Sequence, residues 1–181
     1  MPIHIGQTDH SFDNPLGLLS DCHRRIEMFL GSLQAVAAIS ASPLSDESRR
    51  ALTAALRYFR EAAPKHTADE EQSLFPRLRQ AGDARVRGAL AQIEALEADH
   101  RRADELHAQA GQLGAQLLAD GSLPPQSADR FQNVTSELAE LYAHHINLED
   151  RGIFPLSREV LSPSEQAHIA EEMAERRSLK R

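Results

Sequence analysis

Cysteine is nearly missing from this chain of 181 residues. Cys22 stands alone, so no intrachain disulfide can form and no cysteine-rich zinc site can be built. Tryptophan is absent and aromatics are 4% of the residues, while alanine and leucine are abundant and long stretches pass without glycine or proline. That balance favours helix. No apolar run approaches the roughly 18 residues of a membrane span. The opening Met1–Gly6 lacks the basic start and apolar stretch of a secretion signal. The expectation is a cytoplasmic protein with no membrane partner. Positive charge is in deficit as well: 20 Lys and Arg against 27 Asp and Glu leave a net charge of −7. That is the wrong sign for displacing counterions from a nucleic-acid backbone, so no nucleic-acid partner is expected. A chain of this length can bury about two thirds of its unfolded surface in one core without a cross-link.

What is present is helical periodicity. Asp13-Asn14-Pro15 reads as cap residues followed by proline in the first turn, opening a helix over roughly residues 15–40. Leu16, Leu19, His23, Ile26, Leu30, Leu33 and Ala37 form its apolar stripe, with a histidine where leucine is expected. A second helix begins near Ser45 and carries Leu52, Leu56, Phe59, Ala63, His66, Glu70 and Leu74 on one face, with a kink expected at Pro64. A third runs from after Gly82 to about Ala119, with Val86, Leu90, Ile93, Leu96, His100, Ala103, His107, Leu113 and Leu117 inward. After the Asp120–Pro125 loop, a fourth helix turns Phe131, Val134, Leu138, Leu141, His145 and Glu149 inward. Ser162-Pro163-Ser164-Glu165 is a capping box that opens a short fifth helix with a basic end, expected outside the bundle. The expected fold is all-α: an antiparallel up-down-up-down four-helix bundle of two similar helix pairs over residues 1–158. Residues 159–181 add a C-terminal helix that packs on the bundle or in a dimer contact.

One pattern occurs twice on these helices. His23, His66 and Glu70 are answered by His100, His145 and Glu149 at offsets of 77, 79 and 79 residues. The neighbourhoods repeat too: His23-Arg24-Arg25 echoes His100-Arg101-Arg102, and Glu70-Glu71-x-x-Leu74-Phe75-Pro76 echoes Glu149-Asp150-x-x-Ile153-Phe154-Pro155. Residues four apart on a helix share a face about 6 Å apart along the axis, so each His-x-x-x-Glu aims an imidazole and a carboxylate at one point. A single histidine on an apolar face is usually a hydrogen-bonded core residue. Six such groups in register are different, because burying them without a compensating ion costs several kcal/mol per charge. Four imidazoles and two carboxylates suit a two-metal site of first-row ions, with iron or manganese favoured over copper.

On these residues the chain resembles the hemerythrin-like proteins with the His-His-Glu cation-binding domain. The H…HxxxE…H…HxxxE order, with Phe-Pro following each glutamate, covers roughly residues 12–158. Ferritin-like bundles differ, since their motif puts the carboxylate first at a spacing of three. The resemblance implies a non-haem di-iron centre bridged by Glu70 and Glu149, with His23, His66, His100 and His145 as terminal nitrogen ligands, and manganese or zinc as other candidate ions. It implies a small diatomic ligand or peroxide as partner. Oxygen carriers of the family have a fifth histidine one turn after the third, and here that position is Asp104, matched by Glu27 in the first repeat. These acids are read as acceptors orienting His100 and His23, or as solvated partners of the arginines, ahead of direct ligation.

His144 competes with His145, and the internal repeat selects His145. His107 is read as a polar core residue or reserve ligand, Tyr142 as core or as a hydrogen-bond donor to a metal-bound species, and Cys22 as a buried filler. His4, His10 and His168 fall outside the pattern. The leading expectation is a metal-binding protein that binds, senses or handles dioxygen, nitric oxide, peroxide or iron. Its alternatives are a di-iron oxidase or peroxidase-like enzyme, and a structural module held by its metal.

Overall fold

The structure is a computed structural model that describes residues 11–178. His4, His10, Leu179, Lys180 and Arg181 lie outside the described residues. Every regular element within them is helical. Helix α1 (Pro15–Ala38) starts as its sequence dictates: the Gly17 N–H donates to Asn14 Oδ1 at 3.0 Å, and Pro15 takes a first-turn position where no N–H is needed. Helix α2 (Asp46–Glu61) is capped by Ser45, whose hydroxyl accepts from the Ser48 N–H. The expected single kinked helix is instead broken at Ala62, and Pro64 lies in the first turn of α3 (Ala63–Asp69). Proline is tolerated there and not further in, which is why the chain restarts rather than bends.

The helix then widens. In π1 (Glu70–Leu74) the Phe75 N–H donates to the Glu70 carbonyl five residues back, and in π2 (Glu149–Ile153) Phe154 does the same to Glu149. The cause is the next residue in each repeat. Pro76 and Pro155 have no N–H and crowd the carbonyl four residues before them, and one residue of slack in the coil relieves both problems. Helices α4 (Phe75–Gln80) and α7 (Phe154–Val160) continue after these turns, and α5 (Ala84–Asp120) and α6 (Pro125–Leu148) run uninterrupted. The result is an all-α bundle of four main helices in two joined pairs, followed by α8 (Pro163–Arg176) with its Ser162/Glu165 capping box.

The helices contribute to two compact units. The first comprises Met1–Arg25, Pro64–Glu97 and Ile146–Arg181; the second comprises Ile26–Ala63 and Ala98–His145. In the first, Leu16, Leu19, Phe75, Ile93, Phe154 and Met173 belong to one buried cluster. Helix α8 enters that cluster through Ile169 and Met173 and contacts π1, so it packs on the core rather than outside it. Burying each such side chain contributes about 1.5–3 kcal/mol. In the second unit, Leu33, Leu52, Phe59, Phe131 and Leu138 are buried. Its two loops are tied to each other: the Leu44 N–H donates to the Gly121 carbonyl at 2.9 Å and the Leu123 N–H to the Ser40 carbonyl at 2.7 Å. Gly121 makes this turn at φ 82°, a left-handed conformation that glycine adopts without strain. Among the described residues no helix is long and apolar enough to cross a membrane.

Candidate metal centre

Helix α1, the α3–π1 segment and π2 bring His23, His66, Glu70 and Glu149 together in the first unit, with one ligand atom from each lying within 4.8 Å of the others. His66 Nε2 is 3.1 Å from Glu70 Oε1, the one-turn spacing that the sequence motif builds. His23 Nε2 is 3.0 Å from Glu149 Oε2 and 3.9 Å from Glu70 Oε1, so the imidazole from α1 faces both carboxylates. Phe154, from the repeated Phe-Pro pair, stacks on the His23 ring at 5.3 Å and closes its outer face. In the second unit the His100 and His145 rings lie 4.7 Å apart. Glu149 follows His145 by one turn along the same chain direction. Buried candidate ligands thus gather in each unit: His23, His66, Glu70 and Glu149 in the first, and His100 with His145 in the second.

The electrostatics call for a cation. Glu70 and Glu149 are fully buried and the four histidines are at most 5% exposed. Burial works against a charged His23, but hydrogen bonds to Asp150 and Glu149 and the charges of Glu149 and Glu70 outweigh it, raising the imidazole to about 10. The site draws positive charge to the point where His23 Nε2 meets the carboxylates, and a proton or a metal ion can supply it. Imidazole nitrogens beside carboxylate oxygens form the donor set that first-row metal ions accept, so the residues fit such ions.

Asp150 holds His23 in place and Asp99 lies near His145, and neither aspartate was singled out from the sequence. Asp150 Oδ1 lies 3.1 Å from His23 Nδ1 and accepts from the Ser20 hydroxyl at 2.7 Å. Asp99 Oδ2 lies 3.5 Å from His145 Nδ1. A carboxylate on Nδ1 turns Nε2 inward and strengthens it as a donor, a task the sequence offered to Glu27 and Asp104 beside the alternative of solvated partners for the arginines. Those two are exposed and belong to neither group of buried candidate ligands. Asp99 and Asp150 each adjoin a motif residue, but only their partners across the fold reveal the role.

A third unforeseen residue is Asp69, fully buried beside Glu70. Arg177 donates to its Oδ2 at 2.6 Å and Arg176 to its Oδ1 at 2.9 Å, while Arg176 also donates to Ser73 Oγ at 2.7 Å. The basic end of α8 therefore anchors π1 rather than only complementing its own helix dipole. Burial pushes the Asp69 carboxyl up, and Arg177 and Arg176 oppose that rise.

The remaining sequence candidates separate by exposure. His144 is exposed and His145 buried, as the repeat requires, and His168 is exposed. Cys22 is buried with its thiol pushed up by burial, and Arg25 folds back to donate to its sulfur at 3.1 Å. Arg24, Arg101 and Arg102 are exposed. His107 belongs to neither ligand group. It stacks on Phe59 at 4.4 Å, and its Nε2 lies 3.0 Å from the hydroxyl of the buried Tyr142. Burial lowers His107 to about 4. An unfolded histidine titrates near 6.5. The neutral ring therefore stabilises the fold in full above pH 6.5, and the contribution is lost as pH falls towards 4. Urea unfolding should show about 2–3 kcal/mol lost across that window, and His107→Phe should flatten this part of the profile.

The comparisons with known proteins agree with this geometry. An uncharacterized protein of Haemophilus influenzae is 26% identical over 176 residues, covering 94% of each chain. The family model of the hemerythrin HHE cation-binding domain matches residues 14–157, which include both repeats and all six candidate ligands. With most of its length matched and its buried His and Glu gathered in two groups consistent with a non-haem di-iron centre, the chain is a metal-binding protein that belongs to the hemerythrin HHE family.

Proposed function

We propose that the protein holds two iron ions and uses them in the cytoplasm to bind or sense a small ligand such as dioxygen, nitric oxide or peroxide. The observation that carries this reading is the pair of buried ligand groups. In the proposal His23 and His66 serve one ion, His100 and His145 the other, and Glu70 and Glu149 supply the carboxylates. Manganese or zinc suits the same donors. The HHE domain in this reading is residues 1–158, with 159–181 as an accessory helix on the bundle or in a homodimer contact.

Bound iron would supply redox chemistry and coordination positions open to a small exogenous ligand. The chain's own residues do the rest. Asp150, itself held by Ser20, fixes the His23 ring so that Nε2 faces Glu149 and Glu70. Asp99 Oδ2 lies 3.5 Å from His145 Nδ1, a carboxylate charge beside that ring. Phe154 covers the His23 ring and keeps water from it. Widening at π1 and π2 begins at each glutamate, a placement common at functional sites because it re-aims a side chain without ending the helix.

One observation favours a second reading, a di-iron oxidase or peroxidase-like enzyme. Asp104 stands where an oxygen carrier's fifth histidine would be and is exposed, so the chain offers fewer nitrogen ligands. One experiment separates the readings: metal analysis of protein expressed with iron, followed by the optical spectrum of the ferrous form before and after air. About two irons per chain and an oxygen-reversible coloured adduct support binding. Repeated consumption of peroxide supports the enzyme. Fewer than about one ion of any metal per chain overturns both.

A further inference from the structure

In the second unit, α2 and α5 border a cleft of about 650 Å³ that the metal centre does not use. That size lies within the range of small-molecule sites. Leu33, Leu56, Phe59, Ala110 and Leu118 give it an apolar lining, and Leu33 is fully buried. Side chains so arranged receive an apolar body, not an ion or a sugar. Thr53, Gln112 and His107 line it as neutral groups, and its charged side chains are all basic. Arg57 and Arg60 are exposed on α2, and no aspartate or glutamate lines the cleft, although the chain as a whole carries seven excess negative charges. Arg60 is paired with Glu61 at 2.8 Å. Arg57 makes no ion pair among the described residues, so its guanidinium is available to an anion on the ligand.

We propose that this cleft binds a small amphipathic anion, an aliphatic chain ending in a carboxylate, with the chain on the leucines and Phe59 and the head group on Arg57. A guanidinium suits the head group because its planar fork bonds a carboxylate through two parallel hydrogen bonds. A cationic amphiphile would meet like charge, and a neutral one would leave the guanidinium unused. The cleft is also one hydrogen-bonded pair away from a candidate ligand. His107 lines it and meets the Tyr142 hydroxyl at 3.0 Å, and the Tyr142 ring packs edge-on to His145 with centroids 6.1 Å apart.

Titration calorimetry of the metal-loaded full chain with dodecanoate, below its micellar concentration, should give saturable one-to-one binding. Dodecanol, with the same apolar body and no charge, should bind about tenfold more weakly. Arg57→Gln should weaken dodecanoate about tenfold and leave dodecanol unchanged. Ala108→Trp, which sets an indole in the cleft, should weaken both, and should abolish the shift that dodecanoate causes in the His107 ring resonances. Arg57 and Ala108 are exposed, so both variants should fold. The readouts are heat and His107 resonance, so they stand or fall apart from the redox behaviour of the metal. No saturable binding, equal affinities for acid and alcohol, or binding indifferent to both substitutions would overturn the assignment. Binding seen only with phosphatidylglycerol vesicles would also overturn it, by pointing to a membrane surface.

Discussion

Glu149→Gln is expected to lower bound iron from about two ions per chain to about one or none, with the fold retained. The amide keeps the volume of a side chain that is fully buried, so packing is undisturbed. What changes is charge. Glu149 faces His23 Nε2 at 3.0 Å and follows His145 by one turn, so a neutral group there removes a hard anionic donor from both proposed ligand groups at once. Half of the carboxylate charge in the set goes with it, and affinity should fall at least about a hundredfold, beyond the 10- to 100-fold typical of losing an outer partner. Elemental analysis after gel filtration reads the result. Asp104→Asn is the control, since Asp104 is exposed and its loss should leave both ions in place. Two ions retained in Glu149→Gln would remove Glu149 from the ligand set.

Asp69→Ala is expected to cost about 2–4 kcal/mol of folding stability, measured as a fall in the urea midpoint. Asp69 is fully buried and takes charge-assisted bonds from Arg176 and Arg177, so truncation leaves two guanidiniums facing an empty acceptor position. Those guanidiniums are about a fifth exposed and can turn partly to water, which keeps the cost below that of a fully interior charge. The effect should reach the metal as well. Asp69 precedes Glu70, and Arg176 also holds Ser73 within π1, so α8 steadies the turn that carries a proposed ligand. Metal affinity should drop in Asp69→Ala although no candidate ligand is altered. An unchanged urea midpoint would show that the Asp69–arginine network adds nothing to stability.

Much of the fold was legible because helix formation is local. The caps at Asn14, Ser45 and Ser162 lie within three residues of the N–H groups they satisfy, and the apolar stripes repeat every three or four residues. Leu16, Leu19, Ile26, Leu30 and Leu33 in α1 are all buried, as their spacing requires. The same register separates His145, buried, from His144, exposed. Where the reading missed, two local rules competed. Helical periodicity runs on through Glu70–Leu74 and Glu149–Ile153, but Pro76 and Pro155 act on the turn before them, and the backbone widened instead of continuing as α-helix.

The acids around the site were illegible for a different reason. Glu27 and Asp104 sit one turn from candidate ligands and read equally as their supports or as solvated partners of the arginines, and both face water. The partner that His23 takes, Asp150, is 127 residues distant in sequence, and Arg176 reaches Asp69 across 107. No periodicity encodes pairings of that range.

The sequence by itself determined the helices, the duplicated His and Glu positions and the choice of metal-binding chemistry, because each depends on spacing within one helix or on the repeat. Tertiary structure decided the pairing of Asp150 with His23, the approach of Asp99 to His145, the docking of α8 on π1 and the cleft beside Arg57. Each of these depends on which surfaces meet when helices pack, and that is settled by side chains far apart along the chain.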